Sequence, residues 1–290
     1  MAAEILDGRA LAARVLEDLK PRVEKISASL GRPPLLAVLG GGDAAGASYG
    51  AGRRAACAKA GISLKEGRWA GASGPDQARA ALSDWLGREK ADAVLIATPL
   101  PDGIAAGRLW EALPSGVDAE GLSPAHYGRL FAARSYAEAL QEAPVPPTAR
   151  AVAELSRASG ITLEGKDALV IGRSNAVGRP AAHLLSLLGL TVTLAHSMSR
   201  GIEEMSLRAD LLVACLGRRG YVRPDWIKPG AVVVDCGIHA SESGLAGDVD
   251  PGAARRAGFL TPVPGGVGPA TSAFLAANVV WLAERNSRSY

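Results

Sequence analysis

The sequence predicts an α/β protein of two domains, the second built on a doubly wound parallel sheet. Three observations lead there. Short apolar runs of four or five residues alternate with amphipathic stretches along the 290 residues. A strand, a glycine-bearing turn and a helix follow one another near residues 168–188, and Ala143-Pro144-Val145-Pro146-Pro147 forms a stiff extended hinge between the halves. With 48% hydrophobic residues the chain can fill one large core or two modest ones, and a nucleotide-type unit in the second half favours two.

Leu11, Val15, Leu19 and Val23 give Gly8–Lys25 a helical rhythm that Pro21 is expected to end or kink. Leu35–Leu39 reads as a strand, Arg53–Ala60 and Gln77–Leu86 as helices, Ala93–Ile96 as a strand and Ala106–Ala112 as a short helix. Residues 121–142 are the least readable stretch. Past the hinge, Ala149–Ser159 is a helix, and strands are expected near 168, 191, 211, 231 and 258 with helices between them.

Composition narrows the function classes. The net charge is +3, from 32 basic and 29 acidic residues interspersed along the chain, so no polybasic stripe for nucleic acid is present. Cys57, Cys215 and Cys236 are scattered without C-x-x-C spacing, which points to reduced thiols, a cytoplasmic setting and no metal site. No basic and apolar leader pattern and no run of eighteen apolar residues occurs, so neither export nor a membrane partner is expected.

In Gly165–Pro180, Ala168–Ile171 suits a buried parallel strand and Pro180 opens the amphipathic stretch Ala181–Leu188, which puts Gly172 and Gly178 in a strand-to-helix turn. Helix N-terminal amides attract an anion there, although the spacing Gly172-x5-Gly178 is not G-x-G-x-x-G, and a plain βα turn remains the other reading. The next strand, Leu190–Ala195, ends at His196-Ser197-Met198-Ser199-Arg200, where an NAD site carries an acid for the ribose hydroxyl. No Asp or Glu stands between Asp167 and Glu203, whereas Arg173, Ser197 and Arg200 suit the 2′-phosphate of NADP; arginines on a solvated rim are the alternative. A third feature, Thr261–Pro269, is too dense in proline and glycine for a helix or central strand. It is a shaped loop, either a ligand wall or a rigid turn.

Gly172-Arg173-Ser174, Val177-Gly178 with Pro180, His196-Ser197, Val234-Asp235-Cys236-Gly237, Gly247-Asp248-Val249 and the Pro262–Pro269 loop resemble the methylenetetrahydrofolate dehydrogenase/cyclohydrolase family, FolD. Leu6-Asp7-Gly8-Arg9, Tyr49, Pro99-Leu100-Pro101 and Asp118-Ala119-Glu120-Gly121 extend the likeness more loosely through the first half. The resemblance implies a folate-binding catalytic domain over 1–147 plus 271–290, with the last helix, Ser272–Arg285, packed back on it. It implies an NADP-binding Rossmann domain over 148–270. It further implies a tetrahydrofolate one-carbon substrate, a homodimer, and oxidation of 5,10-methylenetetrahydrofolate followed by hydrolysis of the methenyl product. Cofactor contacts carried over are Gly172, Arg173, Ser174, Val177, Gly178, His196, Ser197, Arg200, Gly237 and Ile238. Substrate contacts are Tyr49, by stacking, with Pro99, Leu100, Glu120, Pro264, Gly265, Gly266, Val267 and Gly268.

Departures from the family pattern fall at the catalytic positions. Ala56-Cys57 and Gly61-Ile62 set the register and put Arg53 four residues after Tyr49, where the family has the lysine that moves protons in hydrolysis. A guanidinium stays protonated, so this exchange keeps the charge and abolishes acid–base cycling. Ala97 stands where the family glutamine holds that lysine, and Glu120 lengthens the acid that anchors the pterin. The cyclohydrolase step is therefore expected to be impaired. A fully bifunctional enzyme, a non-catalytic folate or nucleotide binder, and a dehydrogenase for a related pterin carrier stay open. Asp118 is a candidate partner for Arg53. His126, His183 and His239 have no carboxylate or cysteine pattern around them and receive no role.

Overall fold

Strands buried on both faces must be apolar, and the runs Leu36–Leu39, Ala93–Ile96, Ala168–Ile171, Leu211–Ala214 and Val232–Val234 form the buried strands of two parallel sheets. The structure, a computed structural model, describes residues 3–40, 44–69, 74–97, 100, 103–241 and 244–287, and of residues 44–49, 106 and 241 the backbone alone. Two compact units emerge. One comprises Ala13–Leu130, Glu142–Val145 and the chain from Ser272 onward; the other comprises the N-terminal stretch through Ala12, Phe131–Gln141 and Pro146–Thr271.

The folate-type unit holds β2 (Leu35–Leu39), β3 (Ser63–Gly67) and β4 (Ala93–Ile96) in the order β3-β2-β4, all parallel, with Leu36–Leu39 facing Ala93–Ile96. Its helices include α1 (Gly8–Leu30), α2 (Ala44–Ala60), α3 (Pro75–Glu89) and α4 (Ala106–Ala112). Leu39, Leu82, Trp85, Val94, Ile96 and Leu109 form the core beneath α3 and α4. Helix α1 passes through Pro21 without ending there. Pro21 faces solvent, so the carbonyl it leaves unbonded meets water, while Leu19, Val23 and Ile26 stay buried and hold the helix on its course. Residues 121–142, the least readable stretch of the sequence, form α5 (Pro124–Ala132) and α6 (Tyr136–Glu142).

The second unit carries the six-stranded sheet. Strands β5 (Asp167–Ile171), β6 (Thr191–Ala195), β7 (Leu211–Ala214), β8 (Val232–Asp235) and β11 (Phe259–Leu260) lie near the five expected positions. The order is β1-β11-β8-β7-β5-β6, all parallel, with β1 (Glu4–Ile5) at one edge. Helices α7 (Pro147–Ala158), α8 (Gly178–Leu187) and α9 (Ile202–Arg208) accompany the sheet, and β9 (His239–Ser241) pairs antiparallel with β10 (Gly244–Ala246). The chain runs from β5 out to β6 and returns to β7 on the other side of β5, which makes the carboxyl ends of β5 and β7 the switch point where such sheets bind ligands.

Two groupings differ from the division at residue 147. Residues through Ala12 and Phe131–Gln141 join the second unit, the former because β1 extends its sheet. The hinge Ala143–Pro147 is buried throughout. Helix α10 (Val267–Ser287) is longer than its expected core, and from Ser272 onward it belongs to the folate-type unit, where Asn278 Nδ2 donates to the carbonyls of Ala119 (2.8 Å) and Val145 (2.9 Å). Among the described residues no helix is long and apolar enough to cross a membrane.

Candidate active site

The turn after β5 is shaped by what a side chain would strike. A Cβ on Gly172, whose φ is +124°, would lie 2.2 Å from the Cys215 carbonyl oxygen, and one on Gly178 would lie 1.9 Å from the Gly172 oxygen. Backbone therefore meets backbone across β5, β7 and the start of α8, and only glycine fits either position. Around this contact Gly172 N donates to Ala195 O (2.9 Å), Val177 N to Ser174 Oγ (3.2 Å) and Arg179 N to Ser174 O (3.1 Å). Arg179 N is thus taken by Ser174 O, Ala181 N donates to Val177 O (2.9 Å) and Pro180 has no N–H, so what the N-terminus of the ten-residue helix α8 offers an anion is chiefly its dipole.

Beside this turn, β6 ends in residues suited to a second phosphate. Arg173, Ser174, Ser197 and Arg200 are exposed, and no carboxylate stands in the turn after β6. His196 is half-buried; its amide donates to Ser199 Oγ (2.9 Å), and its Nδ1 accepts from Met198 N (3.2 Å), which leaves the ring proton on Nε2 in the neutral form. These groups fit a 2′-phosphorylated dinucleotide: a cradle that side chains would fill, a helix N-terminus, and free guanidinium and hydroxyl donors at the ribose end.

The ends of β7 and β8 are tied by two buried acids that sequence reasoning met only as motif members. Asp235 Oδ1 accepts from the amides of Gly237 (2.8 Å) and Asp248 (2.9 Å), and Oδ2 from Val249 N (3.0 Å). Burial raises the Asp235 carboxyl, and the three amides oppose that rise. Asp248 Oδ2 accepts from Leu216 N (2.8 Å) and Gly217 N (2.9 Å), while Oδ1 lies 2.7 Å from His239 Nε2. Gly237 is buried and Ile238 is 53% exposed.

In the Pro262–Pro269 loop, Gly266 N donates to Pro262 O (2.8 Å), and Gly265, Gly266 and Val267 are buried while Pro264 is exposed. Part of its bare backbone faces the chain itself, since a Cβ on Gly8 would lie 1.7 Å from Gly266 O. Gly268 is half-buried, and a Cβ there would come within 4.0 Å of Ile238 Cδ1, so this loop and the Gly237–Ile238 turn adjoin.

In the other unit, Tyr49 sits on α2 one turn before Arg53, but its side chain and the whole of Pro99 lie outside the described residues. Arg53 is 5% exposed and pairs with Glu66 at 3.3 Å; Glu66 also takes Arg54 at 3.0 Å. Cys57, one turn further along α2, has its thiol pushed up to about 12 by burial, against the pull of Arg53. Ala97 and Leu100 are half-buried, and Ala97 N donates to Leu39 O (2.9 Å). Asp118, 1% exposed, accepts from Glu120 N (3.1 Å) and Ser123 N (2.7 Å) and lies 3.2 Å from His126 Nδ1. Glu120 keeps some accessible surface yet is enclosed by protein atoms; burial first, then the Asp118 charge, push its carboxyl up to about 8 against the pull of Arg53.

Three histidines without a role in the sequence thus divide. His126 and His239 rest on buried carboxylates eight and nine residues away, at separations no local motif signals. His183 stacks on Phe131 with centroids 4.5 Å apart. Among the described residues no cluster of three or more His, Cys, Asp or Glu could hold a metal ion.

Comparison with known proteins converges on one family. Residues 6–120 match the catalytic domain, and residues 146–287 the NAD(P)-binding domain, of tetrahydrofolate dehydrogenase/cyclohydrolase. The chain is 39% identical to Bifunctional protein FolD 2 of Bordetella pertussis over 99% of its own length and 100% of that protein's. Among solved structures, the FolD methylenetetrahydrofolate dehydrogenase/cyclohydrolase of Campylobacter jejuni superposes with a TM-score of 0.87 at 34% identity, covering 98% of this chain and 100% of that one. The Trypanosoma brucei FolD, complexed with NADP cofactor and an inhibitor, also gives 0.87, at 31% identity over 99% of each chain. Taken with the switch-point turn and the two-unit fold, these likenesses establish that the chain belongs to the tetrahydrofolate dehydrogenase/cyclohydrolase family.

Proposed function

We propose that the protein oxidises 5,10-methylenetetrahydrofolate to the methenyl form with NADP, and that it releases this product because its own hydrolysis step is impaired. The names of its relatives and the cradle at Gly172 and Gly178 support the first half. The single observation carrying the second is Arg53, buried and ion-paired at the proton-transfer position with Ala97 as its neighbour in the family pattern.

When bound, NADP supplies the hydride acceptor. The protein's own work is positioning: the departing hydride leaves a cation already stabilised by flanking nitrogens, so the dehydrogenase step needs alignment more than acid or base. Gly172, Arg173, Ser174, Val177, Gly178, His196, Ser197 and Arg200 would seat the phosphates and ribose, with Gly237 and Ile238 lining the remainder of the dinucleotide. Tyr49, Pro99, Leu100, Glu120 and the Pro264–Gly268 backbone would hold the pterin. Arg53 can supply positive charge there, but its guanidinium cannot take up and return the proton that hydration of the methenyl carbon requires. Free thiols at all three cysteines support a cytoplasmic setting, and family likeness supports a homodimer.

The test follows methenyl absorbance with purified protein, methylenetetrahydrofolate and NADP, then compares decay of the methenyl compound with and without protein. Dehydrogenation with decay near the solution rate is expected, and Arg53→Lys with Ala97→Gln together should accelerate decay more than Arg53→Lys alone. General acid–base assistance is typically worth about a hundredfold to ten-thousandfold, so native decay faster than solution by more than about a hundredfold would overturn the assignment.

A further inference from the structure

We propose that Cys215 and Cys236 form a peroxide-responsive dithiol whose closure to a disulfide weakens dinucleotide binding at the turn after β5. The dithiol stands on the geometry of the sheet, and its effect on the cofactor rests on the dinucleotide reading above.

The two cysteines directly follow β7 and β8, and the ladder between those strands fixes their spacing. Ala214 faces Asp235 in the parallel register, and Cys236 N donates to Ala214 O (2.8 Å), so Cys215 and Cys236 are the next pair in line. Neighbouring strands run about 4.8 Å apart, and side chains paired in a parallel ladder point to the same face. A disulfide spans Cα atoms about 4.4 to 6.8 Å apart, so this pair stands within its reach. Both residues are half-buried and free, whereas Cys57 is buried on α2 in the other unit. The same row reaches the cofactor turn. Cys215 N donates to Ile171 O (2.9 Å), its Sγ lies 3.8 Å from Gly172 O, and a Cβ on Gly172 would lie 2.9 Å from that sulfur. On the other side Cys236 leads directly into Gly237–Ile238, the second turn assigned to the dinucleotide.

The chemistry is slow to start and direct to finish. Burial first, then the Asp248 charge, push the Cys215 thiol up to about 12, and burial holds Cys236 well above the ordinary thiol value, so both sulfurs stay protonated until an oxidant persists. Cys215 loses its proton and attacks one oxygen of a peroxide; the O–O bond breaks, leaving a sulfenic acid and a hydroxide that takes up the released proton as water. The Cys236 sulfur then attacks the Cys215 sulfur, the S–O bond breaks, and the hydroxyl leaves with the Cys236 proton as a second water. Two thiols become one disulfide while one peroxide becomes two waters. A sulfur–sulfur bond of about 2 Å is shorter than any non-bonded approach, so closure draws Cys215 toward β8. Gly172 rests on Cys215, and α8 rests on Gly172 through Gly178, so the cradle shifts with it.

The experiment treats the full-length protein with excess hydrogen peroxide, blocks the remaining thiols, maps peptides by mass spectrometry, and measures the NADP dissociation constant before treatment, after it, and after reduction with dithiothreitol. A linked Cys215–Cys236 peptide pair lighter by two hydrogens is expected, with Cys57 still blocked as a thiol. The NADP constant should rise by about fivefold to a hundredfold, the usual range of coupling between two sites, and return on reduction. Met198, 77% exposed in the turn after β6, is the competing oxidation, but its sulfoxide survives dithiothreitol. The double substitution Cys215→Ala with Cys236→Ala should therefore keep its constant through the treatment. Separate oxidation of the two sulfurs without a link, a link that leaves the NADP constant unchanged, or an equal loss of affinity in the double variant each overturns the proposal while leaving the dinucleotide reading intact. Reduced protein that does not bind NADP overturns that reading and the effect on the cofactor together, and the peptide map then decides the dithiol by itself.

Discussion

Replacing Glu120 by glutamine should remove a pH dependence of stability that the native protein carries in an unusual direction. The carboxyl is pushed from 4.5 to about 8, chiefly by burial and then by Asp118, so the folded state holds a proton that the unfolded state releases. For an acid raised in this way, stability is full below the ordinary carboxyl value and is lost as pH climbs through about 8. The whole interval corresponds to about 5 kcal/mol at about 1.4 kcal/mol per decade, and the part lost between about pH 6 and about pH 9 is about 2 to 3 kcal/mol. Urea unfolding of the native protein and Glu120→Gln at those two pH values measures the difference directly. A variant neutral at this position keeps the shape of the acid without its titration. Parallel stabilities in the two proteins would refute the reasoning, since they would mean that Arg53 or entering water keeps Glu120 ionised throughout. The same titration bears on substrate: an ionised Glu120 accepts from a pterin amino group better than the neutral acid, so folate affinity should rise with pH through the same interval in the native protein alone.

Other expectations follow from the cofactor turn and the core. NADP should bind more tightly than NAD by about tenfold to a hundredfold, the worth of one charge-assisted bond, and Arg173→Ala or Arg200→Ala should shrink that margin; calorimetric titration with both cofactors reads it, and equal constants in the native protein would remove the argument. Gly178→Ala puts a methyl group 1.9 Å from Gly172 O, which forces α8 outward; a loss of about 1 to 3 kcal/mol in denaturant stability together with weaker NADP binding is expected. Gly266→Val would strike Pro262 O and Thr261 Cβ at 2.7 Å, so it should lower the melting temperature as well as substrate affinity, and an unchanged melting temperature would show that the loop has room. Asn278→Ala leaves the carbonyls of Ala119 and Val145 without that donor inside the folate-type unit, and thermal unfolding should register a cost of about 2 to 4 kcal/mol.

What the sequence discloses depends on whether a feature is local. Strands β5, β7 and β8 are buried throughout their apolar residues and read directly, whereas Ser63-Leu-Lys-Glu-Gly67 is an edge strand whose Lys65 and Glu66 face solvent, and no apolar run marks it. Helix α6 is tied to a partner outside its own stretch, Glu154 taking the Tyr136 hydroxyl at 2.9 Å, whereas Asp118 caps the approach to α5 through Ser123 N five residues on and Ser135 Oγ takes Glu138 N (3.2 Å) at the start of α6. The Glu154 contact lies outside any local window, but the other two bonds are local, and the Ser135-x-x-Glu138 spacing is a helix-start signal the sequence offered. At the site, Gly172 and Gly178 were legible because their spacing reflects a backbone contact, and Arg53 because Ala56-Cys57 fix its register. The proton on Glu120 and the two carboxylate–histidine pairs arise from burial and through-space approach, which no spacing rule encodes.

The pairing of Glu4–Ile5 with Phe259–Leu260 bears on how the molecule is made. During synthesis the first strand leaves the ribosome without its partner and must wait until nearly the whole chain has followed. Closing so long a loop costs little more than closing one half its length, but the contact is among the last that can form. The early-emerging strands β2, β3 and β4 have all their partners within residues 35–96 and can assemble at once. The sheet that ends in β1 must instead retrieve a segment already paid out, and its edge stays open to other chains until that strand returns.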